Sequence, residues 1–243
     1  NNMTLALKNS ETIRNEFVAN ISHELKTPMT TIAGYLDGML DGTIPPEKYR
    51  YYMELVSTEA RRLSRLVRSM LDISRLRDQG IPADQKTNFD ICEAAGQALL
   101  CFEQRINQKK LNVEIDMPDE GLTIHAAQDS VTQVLYNLID NAVKFVNEGG
   151  TLSVRIRRHG NSAMISVGNT GKTIPPEELP LVFDRFHKID KSRSSDRDGW
   201  GLGLYIVKTI VLAHGGEIRG ENRPEGGAVF TVALPMKGDD DED

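Results

Sequence analysis

The chain has 243 residues, 39% hydrophobic and 26% charged, which is enough apolar side chain for one large or two modest globular domains. Its formal charge of -6 is concentrated in Asp239-Asp240-Asp241-Glu242-Asp243, which reads as a solvated or appended tail. The remainder carries -1, so nucleic acid is excluded as a natural partner.

The two cysteines, Cys92 and Cys101, have neither metal-ligand spacing nor a disulfide framework, in keeping with a reducing compartment. No apolar stretch approaches the roughly 20 residues that span a bilayer, and no signal-peptide pattern is present.

The first predicted helix runs from about Leu5 or Ser10 to Asp41 and stops at Gly42. Ile13, Phe17, Ile21, Leu25, Pro28, Ile32, Leu36 and Met39 recur along it at helical spacing as one buried stripe. At about 100° per residue, His23 lies roughly 200° from Ile21 and points away from that stripe, toward solvent and a second protein. A neutral imidazole keeps a nitrogen lone pair that can attack a γ-phosphorus, and Glu24 is placed to take or orient the proton on the other nitrogen. Pro28 removes a helical hydrogen bond and is expected to bend the helix just past the site. Alone, a His-Glu pair on a helix reads as ordinary surface.

After Thr43-Ile44-Pro45-Pro46, a second helix opens at Pro46 or Glu47. Met53, Val56, Ala60, Leu63, Val67, Met70 and Ser74 form a heptad seam on it, widened by Leu55, Leu66 and Ile73. One hairpin cannot bury stripes this wide, so two hairpins from two chains are expected to form a homodimeric four-helix bundle. The chain starts at Asn1 with helical character and no start signal, as a fragment of something longer would.

Residues 1–78 are thus read as the hairpin domain and 79–87, rich in glycine, proline and polar side chains, as a linker. Residues 88–236 form a second domain, and 237–243 the acidic tail. Strands are predicted at 88–91, 111–115, 152–156, 163–167 and 228–234, interleaved with a helix from the first strand to about Asn107 and helices near 126–146 and 202–214. The fold class is α+β: a helical hairpin followed by an α/β sandwich with a mixed sheet.

On the 126–146 helix, Asn137, Asn141 and Lys144 fall at i, i+4 and i+7 on one face, while Val134, Leu135, Leu138, Ala142 and Phe145 pack inward. Amide oxygens can complete a magnesium shell and a lysine can offset phosphate charge, although polar triplets on helices are common. Downstream, Gly199-Trp200-Gly201-Leu202-Gly203-Leu204 opens a helix, where glycines let backbone amides approach phosphate. A dinucleotide site would need a strand directly before these glycines; residues 191–198 are instead polar and loop-like.

His23-Glu24-Leu25-Lys26-Thr27-Pro28 resembles the phosphoacceptor box of sensor histidine kinases. Asn137 to Lys144, Phe183-Asp184-Arg185-Phe186-His187-Lys188 and Gly199 to Leu204 resemble, in order and spacing, the asparagine, phenylalanine and last glycine boxes of their gyrase-like ATPase domain.

The resemblance implies that ATP with Mg2+ phosphorylates His23 with help from Glu24, and that an aspartate of a response regulator receiver domain takes the phosphoryl group. It also implies that Thr27 positions water for a reverse phosphatase reaction. Asn141, with Asn137, is implied to hold magnesium; Asn137, Lys144 and Lys188 are implied to meet phosphates; and residues 172–198 form a lid. It further implies a cytoplasmic piece of a protein anchored in the cell membrane through an upstream segment.

The chain departs from this family at the first glycine box, which reads Asn169-Thr170-Gly171-Lys172-Thr173 where the family has an aspartate and a second glycine. An amide at Asn169 still accepts from the adenine amino group but brings no charge. Charge-assisted hydrogen bonds contribute about 1.5–3 kcal/mol against about 1 for neutral ones, so roughly tenfold weaker adenine binding is expected. Thr173 is expected to stiffen the start of the lid. His187 and Trp200 replace an aromatic and a small hydroxyl residue.

The alternative reading is a dimeric scaffold or phosphatase with impaired ATP binding. A gyrase-type ATPase is disfavoured because Asn137 stands where such enzymes place a carboxylate to activate water.

Overall fold

The computed structural model describes residues 2–189 and 200–236, with side chains from Val18 on except 77–79. The acidic tail, and within the expected lid residues 190–198, lie outside the described residues, as does Gly199. Two compact units divide the chain, the first comprising Asn1–Asp72 with 194–200, the second the remainder.

In the first unit, α1 (Asn2–Leu40) and α2 (Tyr49–Gln79) flank a short turn with a 3-10 segment at Pro46–Lys48. Gly42 has φ +81°, the left-handed conformation that ends a helix, and the Thr43 amide donates to Asp41 Oδ1 at 2.9 Å. Ile44 folds back so that its amide reaches Gly38 O at 2.7 Å, and a Cβ at Gly38 would sit 3.0 Å from Ile44 Cδ1. The Tyr49 hydroxyl donates to Met39 O at 2.7 Å and the rings of Tyr35 and Tyr52 lie 5.0 Å apart, pinning the helices antiparallel. The helix continues through Pro28 without interruption.

Two details differ from the periodicity. Leu66 and Ile73, expected to widen the α2 seam, are its buried side chains, whereas Met53, Ala60 and Val67 of the seam are exposed. On α1, Leu36 is exposed while Pro28 is buried. Heptad spacing marks every apolar face of a helix, but one hairpin covers only the faces turned inward.

The second unit is built on a mixed five-stranded sheet in the order β2 (Asn112–Asp116), β4 (Thr151–His159), β5 (Ser162–Asn169), β7 (Ala228–Pro235) and β6 (Glu217–Asn222). Only β2 and β4 run parallel. A two-stranded ribbon pairs β1 (Thr87–Asp90) with β3 (Thr123–Ala126). β3 and β6 escape period-2 reading: β3 is four residues long, and β6 carries Glu217, Arg219 and Glu221 on an exposed edge.

Packed with the sheet are α3 (Ile91–Leu100), α5 (Gln128–Phe145) and α6 (Gly203–Ala213). Leu152, Val154 and Ile156 of β4, and Ala163, Ile165 and Val167 of β5, meet Val131, Val134, Leu135, Leu138, Ile139, Ala142 and Val143 of α5 and Ile206, Val207, Ile210 and Val211 of α6 in one buried core. Phe145, expected inward, is instead half exposed in the last turn of α5.

The helix expected to reach Asn107 breaks at Cys101-Phe102, where buried Phe102 turns the chain into α4 (Glu103–Gln108). Asp90 opens α3 by accepting from the Cys92 amide (2.8 Å) and also accepts from Leu122 (3.0 Å), bonds that hold its carboxyl below the usual range. Burial, with the Asp90 charge beside it, pushes the Cys92 thiol up to about 11, so it stays protonated and inert.

At the C-cap of α6, His214 reads as a neutral tautomer. Nδ1 donates to Ile210 O at 2.9 Å, and Nε2 accepts the Ala127 amide at 3.2 Å where α5 begins. Burial lowers its pKa from 6.5, against the backbone bond to Ile210, and the Lys86 charge lowers it further. The unfolded chain therefore takes up this proton first as pH falls: the stabilisation is whole above pH 6.5 and is lost on acidification through the lowered folded value. Melting temperature compared at pH 7.5 and 5.5 should fall less in His214→Gln, which keeps a donor and an acceptor but does not titrate. At Lys110, φ +53° imposes a left-handed backbone on a side-chain-bearing residue. Lys110→Gly should stabilise by about 1 kcal/mol in denaturant melts.

Candidate active site

On α1, His23 is 80% exposed in its side chain, and Nδ1 lies 4.0 Å from Oε1 of Glu24, itself 26% exposed. The imidazole is thus open to an incoming electrophile, with a carboxylate one short rearrangement from its second nitrogen. Thr27, also exposed, returns its hydroxyl to His23 O at 3.3 Å, while Pro28, lacking an N–H, leaves the carbonyl of Glu24 without its helical donor.

In the second unit, chain-distant residues converge where α5, α6 and the end of β5 approach one another. Asn137 of α5 faces the start of α6: a Cβ on Gly203 would lie 3.7 Å from Asn137 Oδ1. Asn137 Nδ2 is buried without a hydrogen-bond partner among the described residues. A buried donor left unmade costs about 1–3 kcal/mol, so it calls for an acceptor that a bound nucleotide phosphate can supply. Asn141 follows one turn on and Lys144 nearly a turn further, its Nζ 5.2 Å from the Phe145 ring centroid.

The last glycine run is shaped by its backbone. Gly201 has φ +68°, and a Cβ there would fall 2.6 Å from His187 O. The Phe186 amide donates to Gly201 O at 3.0 Å. Leu202 is buried, half-buried Leu204 follows, and α6 starts at Gly203 with no side-chain cap among the described residues. Before this run, Phe183 packs edge-on to Phe230 at 5.9 Å, Arg185 lies over the Tyr205 ring at 4.6 Å, and His187 Nε2 meets Glu178 Oε2 at 2.6 Å. Lys188, half-buried, follows directly.

Asn169, at the end of β5, is 3% exposed and its Nδ2 donates to Thr170 O at 3.2 Å, which orients the amide and turns Oδ1 the other way. Gly171 at φ +146° bridges to Val146, and a Cβ there would lie 2.8 Å from Phe145 O. The loop that follows β5 and the end of α5 thus meet through backbone atoms. Thr173 is exposed, and the adjoining Ile174 is clamped by Asn222, which accepts from its amide at 2.8 Å and donates to its carbonyl at 2.7 Å.

Sequence reasoning missed Asn222 and Gly227, where a Cβ would fall 2.0 Å from Asn169 O. The Gly226-Gly227 pair before β7 was the available signal; nothing marked Asn222. The donor set fits ATP with its metal: an orphaned amide, a backbone cradle that any Cβ would fill, and neutral amide oxygens on α5.

The chain thus carries an exposed histidine on a helical hairpin and a glycine-shaped backbone cradle on an α/β sandwich. The His Kinase A (phospho-acceptor) domain matches residues 13–79, and the histidine kinase-, DNA gyrase B- and HSP90-like ATPase domain matches residues 126–238. The chain belongs to the histidine kinases.

It is 35% identical to sensor histidine kinase WalK of Bacillus subtilis over 95% of its length and 38% of that protein. To sensor protein SrrB of Staphylococcus aureus it is 31% identical, over 93% of its length and 39% of that protein. The chain therefore spans about two fifths of these relatives. Among solved structures, histidine kinase ThkA in complex with response regulator protein TrrA aligns at TM-score 0.74 and 27% identity, over 95% of this chain and 64% of that one. Acinetobacter baumannii histidine kinase AdeS aligns at 0.72 and 26%, over 89% and 98%.

Gly201→Ala should weaken Mg-ATP binding at least tenfold, because backbone atoms must move to admit the methyl group at positive φ. Titration calorimetry checks this, with the melting curve as control for folding.

Proposed function

We propose that this chain transfers the γ-phosphoryl group of ATP to His23 and then to an aspartate of a response regulator receiver domain. A nitrogen lone pair of His23 attacks the γ-phosphorus, an N–P bond forms, and the O–P bond to ADP breaks. Glu24 takes the proton from the other ring nitrogen. Asn137, Asn141 and Lys144 hold the phosphates, with Lys188, and Asn141 with Asn137 would hold Mg2+, which neutralises charge developing on the transferring group. The backbone from Gly201 to Leu204 wraps the phosphates, and Asn169 with Gly171 receives adenine. Thr27 places a water for the reverse, phosphatase reaction.

The observation that carries this reading is the buried Asn137 amide, without a partner among the described residues, facing the start of α6 across from Gly203. The exposure of His23, the likeness to sensor histidine kinase WalK and that to ThkA, solved in complex with a response regulator, support the acceptor half.

We assign residues 1–78 to dimerisation and phosphotransfer and 88–236 to nucleotide binding. The intervening 79–87 serve as a hinge at Gly80, whose φ of +64° breaks the helix, and 237–243 form an acidic tail. A homodimer is supported by the apolar side chains left exposed on the hairpin, Val18, Met29, Leu36 and Leu40 on α1 and Met53, Val67 and Leu71 on α2. Among the described residues no helix is long and apolar enough to cross a membrane. A cytoplasmic location, with an anchor upstream in the cell membrane, is supported by the greater length of the relatives named as sensors.

Incubation with γ-labelled Mg-ATP should give acid-labile, alkali-stable label that is absent from His23→Ala. Asn169→Asp should label about tenfold more at subsaturating ATP, through a charge-assisted hydrogen bond to adenine. Label persisting in His23→Ala would overturn the acceptor; no label in either the parent or Asn169→Asp would overturn the kinase reading.

A further inference from the structure

Helix α5 ends abruptly. Its C-cap Val146 is extended (φ -65°, ψ 139°), so the left-handed glycine that commonly satisfies the last carbonyls of a helix is missing. One side chain from another element does that work. Lys109, which follows α4, places Nζ 2.8 Å from Val143 O, 3.0 Å from Lys144 O and 3.1 Å from Val146 O. An ammonium has three donors and no acceptor, which matches three carbonyls, and its charge opposes the negative end of the helix dipole.

The lysine is itself held in place. Its amide bonds to Arg105 O at 3.1 Å, its carbonyl accepts from Gly149 at 2.8 Å, and Lys110 beside it takes the left-handed turn that sends the chain into β2. The turn it grips includes the backbone of Lys144 and leads straight into the Val146–Gly171 bridge.

We propose that Lys109 is a positioning residue for nucleotide binding: by tying down the carbonyls of Val143, Lys144 and the C-cap Val146 it fixes the backbone from which Lys144 reaches the phosphates. This rests on the reading that α5 holds the phosphates. It does not depend on His23 as acceptor, so the test measures binding rather than phosphorylation.

The experiment is a double-mutant cycle on Mg-ATP affinity, by titration calorimetry of the whole chain with Lys109→Met, Lys144→Ala and the pair. Lys109→Met should weaken binding about tenfold, and less than about twofold when Lys144 is already alanine, because the two changes remove one interaction. Lys109→Arg, which keeps charge and donors, should stay within about threefold of the parent. General loosening of the fold would instead give losses that multiply. Should Lys109→Met fail to fold, Lys109→Gln runs the same cycle with a neutral amide donor.

The proposal alone is overturned if Lys144→Ala weakens binding but Lys109→Met binds like the parent, or if the two losses multiply. If Lys144→Ala has no effect, the reading of α5 as a phosphate arm falls, and the proposal falls with it.

Discussion

The nucleotide half of this protein depends on one helix held at both ends by side chains from elsewhere. At its start, the Ala127 amide is accepted by His214; at its finish, three carbonyls are taken by Lys109. Between these ties α5 has little freedom to slide or rotate, because Val134, Leu135, Leu138 and Ile139 are locked into the core. Asn137, Asn141 and Lys144 therefore emerge from a rigid rod. Such rigidity matters for phosphoryl transfer, where the protein contributes mainly positioning and charge.

Around that rod the cradle is made of backbone. Gly171, Gly201 and Gly227 each stand where a single methyl group would meet main-chain atoms closer than van der Waals contact. Main chain can approach phosphate and adenine closely only where side chains are absent, and the positive φ at these glycines is cheap for no other residue. Asn222 adds a two-way clamp on the backbone of Ile174, so the loop after β5 is anchored on β6 as well.

The hairpin follows different physics. Its turn is closed locally, by Gly42, Asp41 and the fold-back of Ile44 onto Gly38, and its helices are registered by Tyr49 on Met39 and Tyr35 on Tyr52. His23 stands apart from this packing, its side chain 80% exposed, while apolar neighbours on the other faces of α1 hold the helix.

Much of this was legible in residue order alone. Helix limits at α1, α5 and α6 follow from period and punctuation, and four of the five strands of the sheet from alternation, since these patterns record which face each side chain must bury. The phosphoacceptor box and the asparagine and glycine boxes are likewise local in sequence. Tertiary structure alone decided the rest. It made Leu66 and Ile73 the buried residues of α2, turned Phe145 outward, broke the helix at Phe102, and recruited Lys109, His214 and Asn222 from positions with no periodic mark. Periodicity reports that a residue prefers to be covered. What covers it, and which distant donor satisfies a helix end, depends on contacts between residues 34 to 87 positions apart, and no local pattern encodes them.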